Sequence, residues 1–536
     1  MHDASVVDAI AFSARVEARA AFLRFAAIAD LVALRVDDQG ERAWWACDGW
    51  DAACAEVGAA LGIGAREASG QMATAVALRF RLPRVAAVFA AGEVSARIVA
   101  LICWRTRLVE DPDILALLDA ALSGALCEWA GLSRKKIERA IDGWVHKFDP
   151  AAVLKVRSAA RGRGVGVGKP DDDTGVASIW GALLATDAEL FDRALTALAL
   201  QVCEHDPRTL AQRRADAVGV LAVRGDRLVC QCGTPDCPAA GPDARATAVV
   251  IHVLTDALPA PVPDPLLSGD PAAPLAPIPA PPEPESAPVE APAPATVPAA
   301  APVGYMVGGA VVPPVLLADL VARGAKIRTV ASASDLDGVP SYRPSTAIDE
   351  FVRMRAMTCL FPGCDQPATA CDVDHTIPWP AGPTHPGNLG PKCRKHHLLK
   401  TFYGGPHGWR DRQQPDGTIV WTAPTGHTYT SVPESRILFP RKVTDTPLPN
   451  PPPDATDLDA TPASGRGIMM PIRRRTRAQN LAQQIAHERA LNEAEIAAAA
   501  AAKEEFERQR QARIAREAAQ AEAAEAEQQD IPPPTY

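Results

Sequence analysis

The sequence predicts a mainly α-helical front domain followed by a small α+β domain stapled by zinc. A Pro-rich linker interrupts the first domain and a charged helical tail follows the second. Three observations predict this. From residue 5 to about 225 the chain is rich in Ala, Leu, Val, Arg and Glu, with apolar residues at three- and four-residue steps. Cys359, Cys364, Cys393 and His396 form a Cys pair, a long gap and a Cys/His pair on a helix, the residue types and spacing of a tetrahedral zinc site. Sixteen prolines fall within residues 259 to 302. That density removes amide donors and fixes φ, so this stretch builds no packed core.

Composition narrows the function classes. A chain of 536 residues, 47% apolar, holds more than one domain and has ample material for a core. Its net charge of −9 and pI near 5.7 exclude a protein that coats nucleic acid unselectively. Positive charge is local instead: between Pro391 and Arg412 stand Lys392, Arg394, Lys395, Lys400, Arg410 and Arg412 with one acid, Asp411. Phosphate would approach there. Seven of the twelve cysteines cluster at 230, 232, 237, 359, 364, 371 and 393 beside Gly, Pro and His, which reads as reduced cytosolic metal chemistry. Neither a signal peptide nor an apolar run of roughly 18 residues is present, so the expected location is cytoplasmic, with no membrane partner.

In the front domain, Val6, Ile10, Ser13 and Val16 mark the inward face of a first helix, and Leu195, Leu198, Ala199 and Val202 that of a late one. Gly62, Pro83, Gly92, Gly131 and Pro150 punctuate the helices. Three corners, around Leu61–Gly64, Gly92–Ser95 and Ser133–Lys136, resemble helix–turn–helix turns loosely, and plain interhelix turns are the favoured reading. Were the last of them offered to DNA, Lys135, Lys136 and Arg139 would meet phosphate. Cys230, Cys232 and Cys237 lie between two β-like segments, Leu221–Val229 and Ala246–Leu254. They are either three reduced thiols in a turn or zinc ligands, with His252 or Cys203 as the candidate fourth.

In the second domain the helix decides how adjacent histidines divide the work. Neighbours on a helix point about 100° apart, so His396 and His397 do not share a metal easily. Cys393 pairs with His396 at i, i+3 and with His397 at i, i+4, so spacing leaves that assignment open. Asp374, His375, Asn388 and His397 can make a second, catalytic metal centre, or Asp374-His375 can be a strand-end hydrogen bond without catalysis. Beyond the helix, Trp409–Gln413, Thr418–Thr422 and His427–Ser431 read as strands, with Asp416-Gly417 as a hairpin turn.

Arg355, Cys359, Phe361-Pro-Gly-Cys364, Asp372-Val-Asp-His375, Asn388 and the Cys393-to-Thr401 helix carry a resemblance. Asp-His, Asn and Cys-x-x-His-His resemble the HNH (His-Me finger, ββα-metal) endonucleases. The wider set resembles the actinobacterial HNH proteins of the 13E12 repeat family, whose front half is domain of unknown function 222. The resemblance runs from about residue 8 to 440. It implies a metal-dependent endonuclease that hydrolyses DNA phosphodiester bonds to 5′-phosphate and 3′-hydroxyl ends. His375 would be the general base, and Asp374 and His397 would hold a catalytic Mg²⁺ or Mn²⁺. Asn388 would pin the loop that aims His375. Cys359, Cys364, Cys393 and His396 would hold structural Zn²⁺, and Lys395, Lys400 and Arg410 would meet DNA phosphate. Many relatives have His where this chain has Asp374, and some carry a further metal ligand where this chain has Thr401. The other function to weigh is a nonenzymatic, zinc-stapled DNA-binding protein of mobile-element or repeat origin. RNA is a weaker substrate, since only Phe402, Tyr403 and Trp409 are near as stacking platforms.

The expected domains are 5–258 (helical), 259–303 (Pro/Ala-rich linker), 304–346 (remainder of the helical domain), 347–440 (nuclease), 441–478 (disordered) and 479–528 (charged helical tail). The basic knot Arg473-Arg-Arg475-Thr-Arg477 either holds DNA nonspecifically or caps a soluble tail.

Overall fold

A computed structural model describes residues 3–129, 132–154, 164–168, 176–248, 251–252, 268–270, 304–306, 311–312, 317–318, 321–322, 329–439, 443–447 and 469–529. The chain divides into two compact units, one of residues 1–57, 66–155 and 470–536, the other of 58–65 and 156–469. The expected helical domain 5–258 is therefore shared between them.

The first unit is helical. Its elements are α1 (Asp3–Arg35), most of α2 (Gly49–Leu61), α3 (Ala65–Phe80), α4 (Pro83–Ala90), α5 (Ala96–Arg105), α6 (Pro112–Ala125) and α7 (Arg134–Phe148). α1 buries Ala18, Ala21, Phe25, Ile28, Ala29 and Val32. The face expected from Val6, Ile10 and Val16 is helical, yet all three are exposed. Pro83 suits the first turn of α4, where its missing N–H costs nothing. The free Arg84 and Val85 amides donate to the buried Asp119 carboxylate on α6 at 2.8 and 3.0 Å. In α7, Ile137, Ile141 and Val145 stack at i, i+4 spacing on the buried side, while Lys135, Lys136 and Arg139 face solvent.

The second unit holds the antiparallel ribbon β1 (Gly164–Val167) and β2 (Ile179–Ala182), then α8 (Ala185–Ala199), α9 (Leu210–Ala222) and α10 (Ala244–Ala248). Leu195, Leu198 and Ala199 are buried, as their spacing predicts. The expected β-like segment 221–229 starts as the end of α9, because a capping box at Thr209 and Gln212 launches a helix that runs through Ala222. Of 246–254, Ala246–Ala248 are helical and Ile251–His252 form β3, paired with β4 (Gly304–Met306), which pairs with β5 (Val311–Val312). Of the linker 259–303, all but residues 268–270 lie outside the described residues.

The metal-bearing part begins with α11 (Thr346–Ala356), capped by Ser345. The hairpin β6 (Cys371–His375) and β7 (Leu389–Cys393) follows, in register Cys371 opposite Cys393 and His375 opposite Leu389. α12 (Arg394–Phe402) leaves directly from β7. The three expected strands then appear as β8 (Arg410–Gln413), β9 (Ile419–Thr422) and β10 (Thr428–Ser431), in the order β10-β9-β8. Gly417 takes φ +83 in the Asp-Gly turn between the first two. Leu336, Ile348, Phe351, Val352 and Leu389 pack α11 against β7.

The tail helix α13 (Glu434–Leu438) closes this unit, and α14 (Arg477–Gln529) belongs to the first. The basic knot is taken up by acids of its own chain. Arg473 and Arg477 pair with the buried Asp48 and Asp51, and Ala46 N donates to Pro471 O at 2.7 Å. Arg489 pairs with Asp149 at 2.6 Å, and Asn492 donates to Ala151 O and Val153 O. From 493 to 523 the side chains are exposed along one continuous helix. In the expected disordered segment 441–478, residues 443–447 and 469–478 have described positions, and Thr446 is buried.

Candidate metal centre

Hairpin and helix bring the four predicted zinc ligands together. Cys359, Cys364, Cys393 and His396 each offer one ligand atom, all within 4.8 Å of one another. His396 Nδ1 lies 3.2 Å from Cys393 Sγ and 3.5 Å from Cys359 Sγ. Ligands of one tetrahedral zinc, at ~2.3 Å for sulfur and ~2.0 Å for nitrogen, stand ~3.5 Å apart. Three sulfurs and one nitrogen, two of the four residues buried, suit a closed structural site, so this cluster could hold zinc. The fold around it explains why His396, and not His397, turns inward. His396 stacks on Phe361 at 3.9 Å between ring centroids, and Phe361 meets Trp409 and Trp421 edge-on at 4.9 and 5.0 Å. Trp421 Nε1 donates to Leu360 O at 2.6 Å, so the sheet β8–β10 buttresses the Cys359–Cys364 loop. Cys371, at the start of β6, donates its thiol to Pro367 O at 3.3 Å and is not one of the four clustered ligand atoms.

One helical step on, His397 faces the acids of β6. Strand alternation puts Asp372 and Asp374 on one face, toward α12. His397 Nδ1–H donates to Asp372 Oδ2 at 2.8 Å. Nε2 of the same ring faces Asp374 Oδ1 across 3.5 Å. A protonated ring would pair with Asp374 directly, and a neutral ring would leave a lone pair and a carboxylate oxygen placed to share a cation. An imidazole that donates its other N–H to a carboxylate is also the usual setting of a metal-bound histidine. A carboxylate oxygen and an imidazole nitrogen are ligand types that Mn²⁺ accepts. Asp372 was within reach of the sequence argument, since it shares Asp374's strand face at i−2.

Lysines crowd the other side of Asp374. Lys392 Nζ stands 3.1 Å from Asp374 Oδ2 and 3.0 Å from Asp411 Oδ2. Lys400 Nζ donates to Asp374 Oδ2 at 2.9 Å, His375 O at 2.5 Å and Thr376 O at 3.3 Å, and pairs with Asp411 at 3.1 Å. Burial alone would raise the Asp374 pKa. Lys392, Lys400 and His397 outweigh it and hold the carboxyl ionised, well below the usual range. Burial likewise opposes the charge on Lys392, but Asp411 and Asp374 prevail and lift its pKa above the usual lysine range. Lys400, expected to lie open to phosphate, is thus occupied within the site, whereas Lys395 and Arg410 are exposed.

His375 turns to the opposite face of β6 and is 5% exposed. Its ring stacks on Tyr342 at 5.4 Å and lies 6.4 Å from Trp379. Nε2 is 2.8 Å from Thr384 Oγ1, and that hydroxyl donates its one proton to Ser341 O at 2.5 Å. Thr384 must therefore accept from Nε2–H, which leaves the Nδ1 lone pair as the basic atom. Burial lowers the His375 pKa, with Asp374 pulling the other way, so the ring is neutral near pH 7. Asn388 ties down the following loop: Ile377 N donates to its Oδ1 at 2.8 Å, and its Nδ2 donates to Ile377 O and Pro383 O. Arg355, 1% exposed, reaches beneath it to donate to Pro386 O at 2.8 Å and Leu389 O at 3.3 Å.

The front half contains the second cluster among the described residues that could hold a metal. Cys203 joins Cys230, Cys232 and Cys237, and the side chain of His252 lies outside the described residues. No helix among the described residues is long and apolar enough to cross a membrane.

Comparison with known proteins adds relatives. A family model described as Domain of unknown function (DUF222) matches residues 12–272, a span that ends before the Cys359–His396 cluster. Uncharacterized protein Rv2100 of Mycobacterium tuberculosis (strain H37Rv) is 53% identical over 505 residues, covering 92% of this chain and 89% of its own length. Uncharacterized protein Rv3776 of the same strain is 52% identical over 492 residues, covering 91% and 90%. No solved structure matches.

Proposed function

The chain contains a DUF222 domain and belongs to one family with these mycobacterial proteins, and we propose that it is a metal-dependent DNA endonuclease of the HNH type. The observation that carries the reading is the Asp372–His397–Asp374 arrangement, with His397 Nδ1 on Asp372 at 2.8 Å and Nε2 facing Asp374 across 3.5 Å. Asp374 and His397 would hold a divalent ion, and Cys359, Cys364, Cys393 and His396 a structural zinc. When bound, the divalent ion would stabilise charge on the phosphate and on the leaving 3′ oxygen.

The rest is the work of the chain's own groups. His375 Nδ1 takes the proton of the attacking water while Nε2–H stays on Thr384, so ring and tautomer are fixed before the reaction. Asn388 keeps the loop after His375 from moving the ring. Lys395 and Arg410, exposed beside the site, meet backbone phosphate. Supercoiled plasmid incubated with the protein and Mg²⁺ or Mn²⁺ should become nicked circles with 3′-hydroxyl ends.

A second reading has its own support. Lys400 and Lys392 already neutralise Asp374, and His375 is nearly enclosed, which suits a zinc-stapled DNA-binding module without catalysis. That module would shift DNA in a gel and leave the plasmid supercoiled with every divalent metal.

A further inference from the structure

Cys203 follows the end of α8 by a few residues, and Cys230, Cys232 and Cys237 sit in the loop between α9 and α10. Their four sulfurs all lie within 4.8 Å of one another, with Cys203 Sγ and Cys230 Sγ 3.4 Å apart. A disulfide needs ~2.05 Å between sulfurs and joins only two of them. Four thiols converging on one point match a tetrahedral thiolate site, whose sulfurs stand ~3.8 Å apart around zinc.

The scaffold holds the loop ready for that geometry. Arg208 and Asp206, with side chains 2% and 0% exposed, form a buried pair. Arg208 donates to Val229 O at 2.7 Å, and Asp206 Oδ2 accepts from Gln231 N at 2.9 Å, so the backbone is pinned on both sides of Cys230. Cys230 N donates to Ala239 O, Cys237 N donates to Thr234 O, and Gly233 takes φ +71 in the turn that returns the chain to Cys237. Among the described residues, the apolar cluster beneath has Leu195, Leu198, Ala217, Val220 and Leu228 as buried members, with Val202, Val218 and Leu221 packed against it. A core of that size does not by itself hold a loop of this length, and small folds of this kind rely on a cross-link or a metal.

We propose that Cys203, Cys230, Cys232 and Cys237 form a second structural zinc site, closed and all-thiolate, which ties the end of α8 to the α9–α10 loop. It lies within the residues matched by the family model and is independent of any nuclease chemistry. The zinc stays redox-silent, and binding releases the thiol protons to solvent.

The test uses the full chain purified without chelator, with zinc counted by plasma mass spectrometry. Wild type should carry two zinc ions per chain, one for each cluster. Cys237→Ser should carry one, Cys393→Ser should carry one, and the double variant none. Limited proteolysis of Cys237→Ser should open new cuts between residues 199 and 244 and leave 345–431 intact. Wild type with one zinc, all of it lost in Cys393→Ser, overturns the proposal. So does a Cys203–Cys230 disulfide, seen as the mass loss of two hydrogens in zinc-free native protein. If Cys237→Ser does not fold, wild-type stoichiometry and iodoacetamide protection of the four cysteines decide the matter alone: alkylation in the zinc-loaded native protein refutes the site.

Discussion

Replacing Cys359 by serine removes the most buried sulfur of the Cys359–His396 cluster, at 3% exposure. Serine is isosteric but does not ionise near neutral pH, so it is a poor zinc ligand. The Cys393 N–H, now 3.2 Å from Cys359 Sγ, keeps an acceptor in the serine hydroxyl. The loss is the metal. Structural zinc contributes about 10–16 kcal/mol of apparent binding energy in small domains, and a whole domain is stable by about 5–15 kcal/mol. Losing a contribution of that size is comparable with the whole stability of the domain, whose buried apolar cluster is Leu336, Ile348, Phe351, Val352 and Leu389. Cys359→Ser should lose one zinc per chain, lose the near-ultraviolet dichroism of Trp409 and Trp421, and become protease-sensitive across residues 345–431. EDTA on wild type should reproduce the pattern. A variant with wild-type zinc content and wild-type proteolysis would refute the reasoning, because the tryptophan cage would then stand without the metal.

Three further outcomes are expected. Arg355→Met removes the donor to Leu389 O and Thr446 Oγ1 and one donor to Pro386 O, which keeps Gln413 Nε2, a cost of about 1–3 kcal/mol that thermal unfolding should register. The His375 and His385 pKa values are both depressed below 6.5, chiefly by burial. Between 6.5 and those lower folded values the unfolded chain binds more protons, so stability should fall as pH drops below about 6.5, measured as a falling urea midpoint. Arg473→Ala with Arg477→Ala leaves Asp48 and Asp51 buried without counterions, so the segment from Met470 to Asn492 should detach and be cut early by trypsin, while zinc content stays unchanged.

Local chemistry was legible in the sequence where residue type and short spacing carry it. The Cys359–His396 ligand set, the β8–β9 turn at Asp416-Gly417 and the three strands β8, β9 and β10 are of this kind. Pairings made by tertiary folding were not. The spacing Cys393-x-x-His396-His397 suits either histidine, and only the Phe361 stack decides which turns inward. The basic run after Pro391 reads as a phosphate face, but Lys392 and Lys400 turn in because Asp374 and Asp411 converge on them. Arg473 meets Asp48 from more than four hundred residues away, which no local pattern encodes. The helical period of Val6, Ile10 and Val16 fixes a helix, but whether a face is covered depends on what folds against it.

The most direct measurement is plasmid nicking by zinc-loaded wild type and His375→Ala, side by side with Mg²⁺ and Mn²⁺. Loss of a positioned base predicts a rate about 10²–10⁴-fold lower for the variant, at unchanged zinc content and unchanged DNA affinity. Equal nicking by both would contradict the role given to His375, and DNA binding without nicking by either would contradict the nuclease itself.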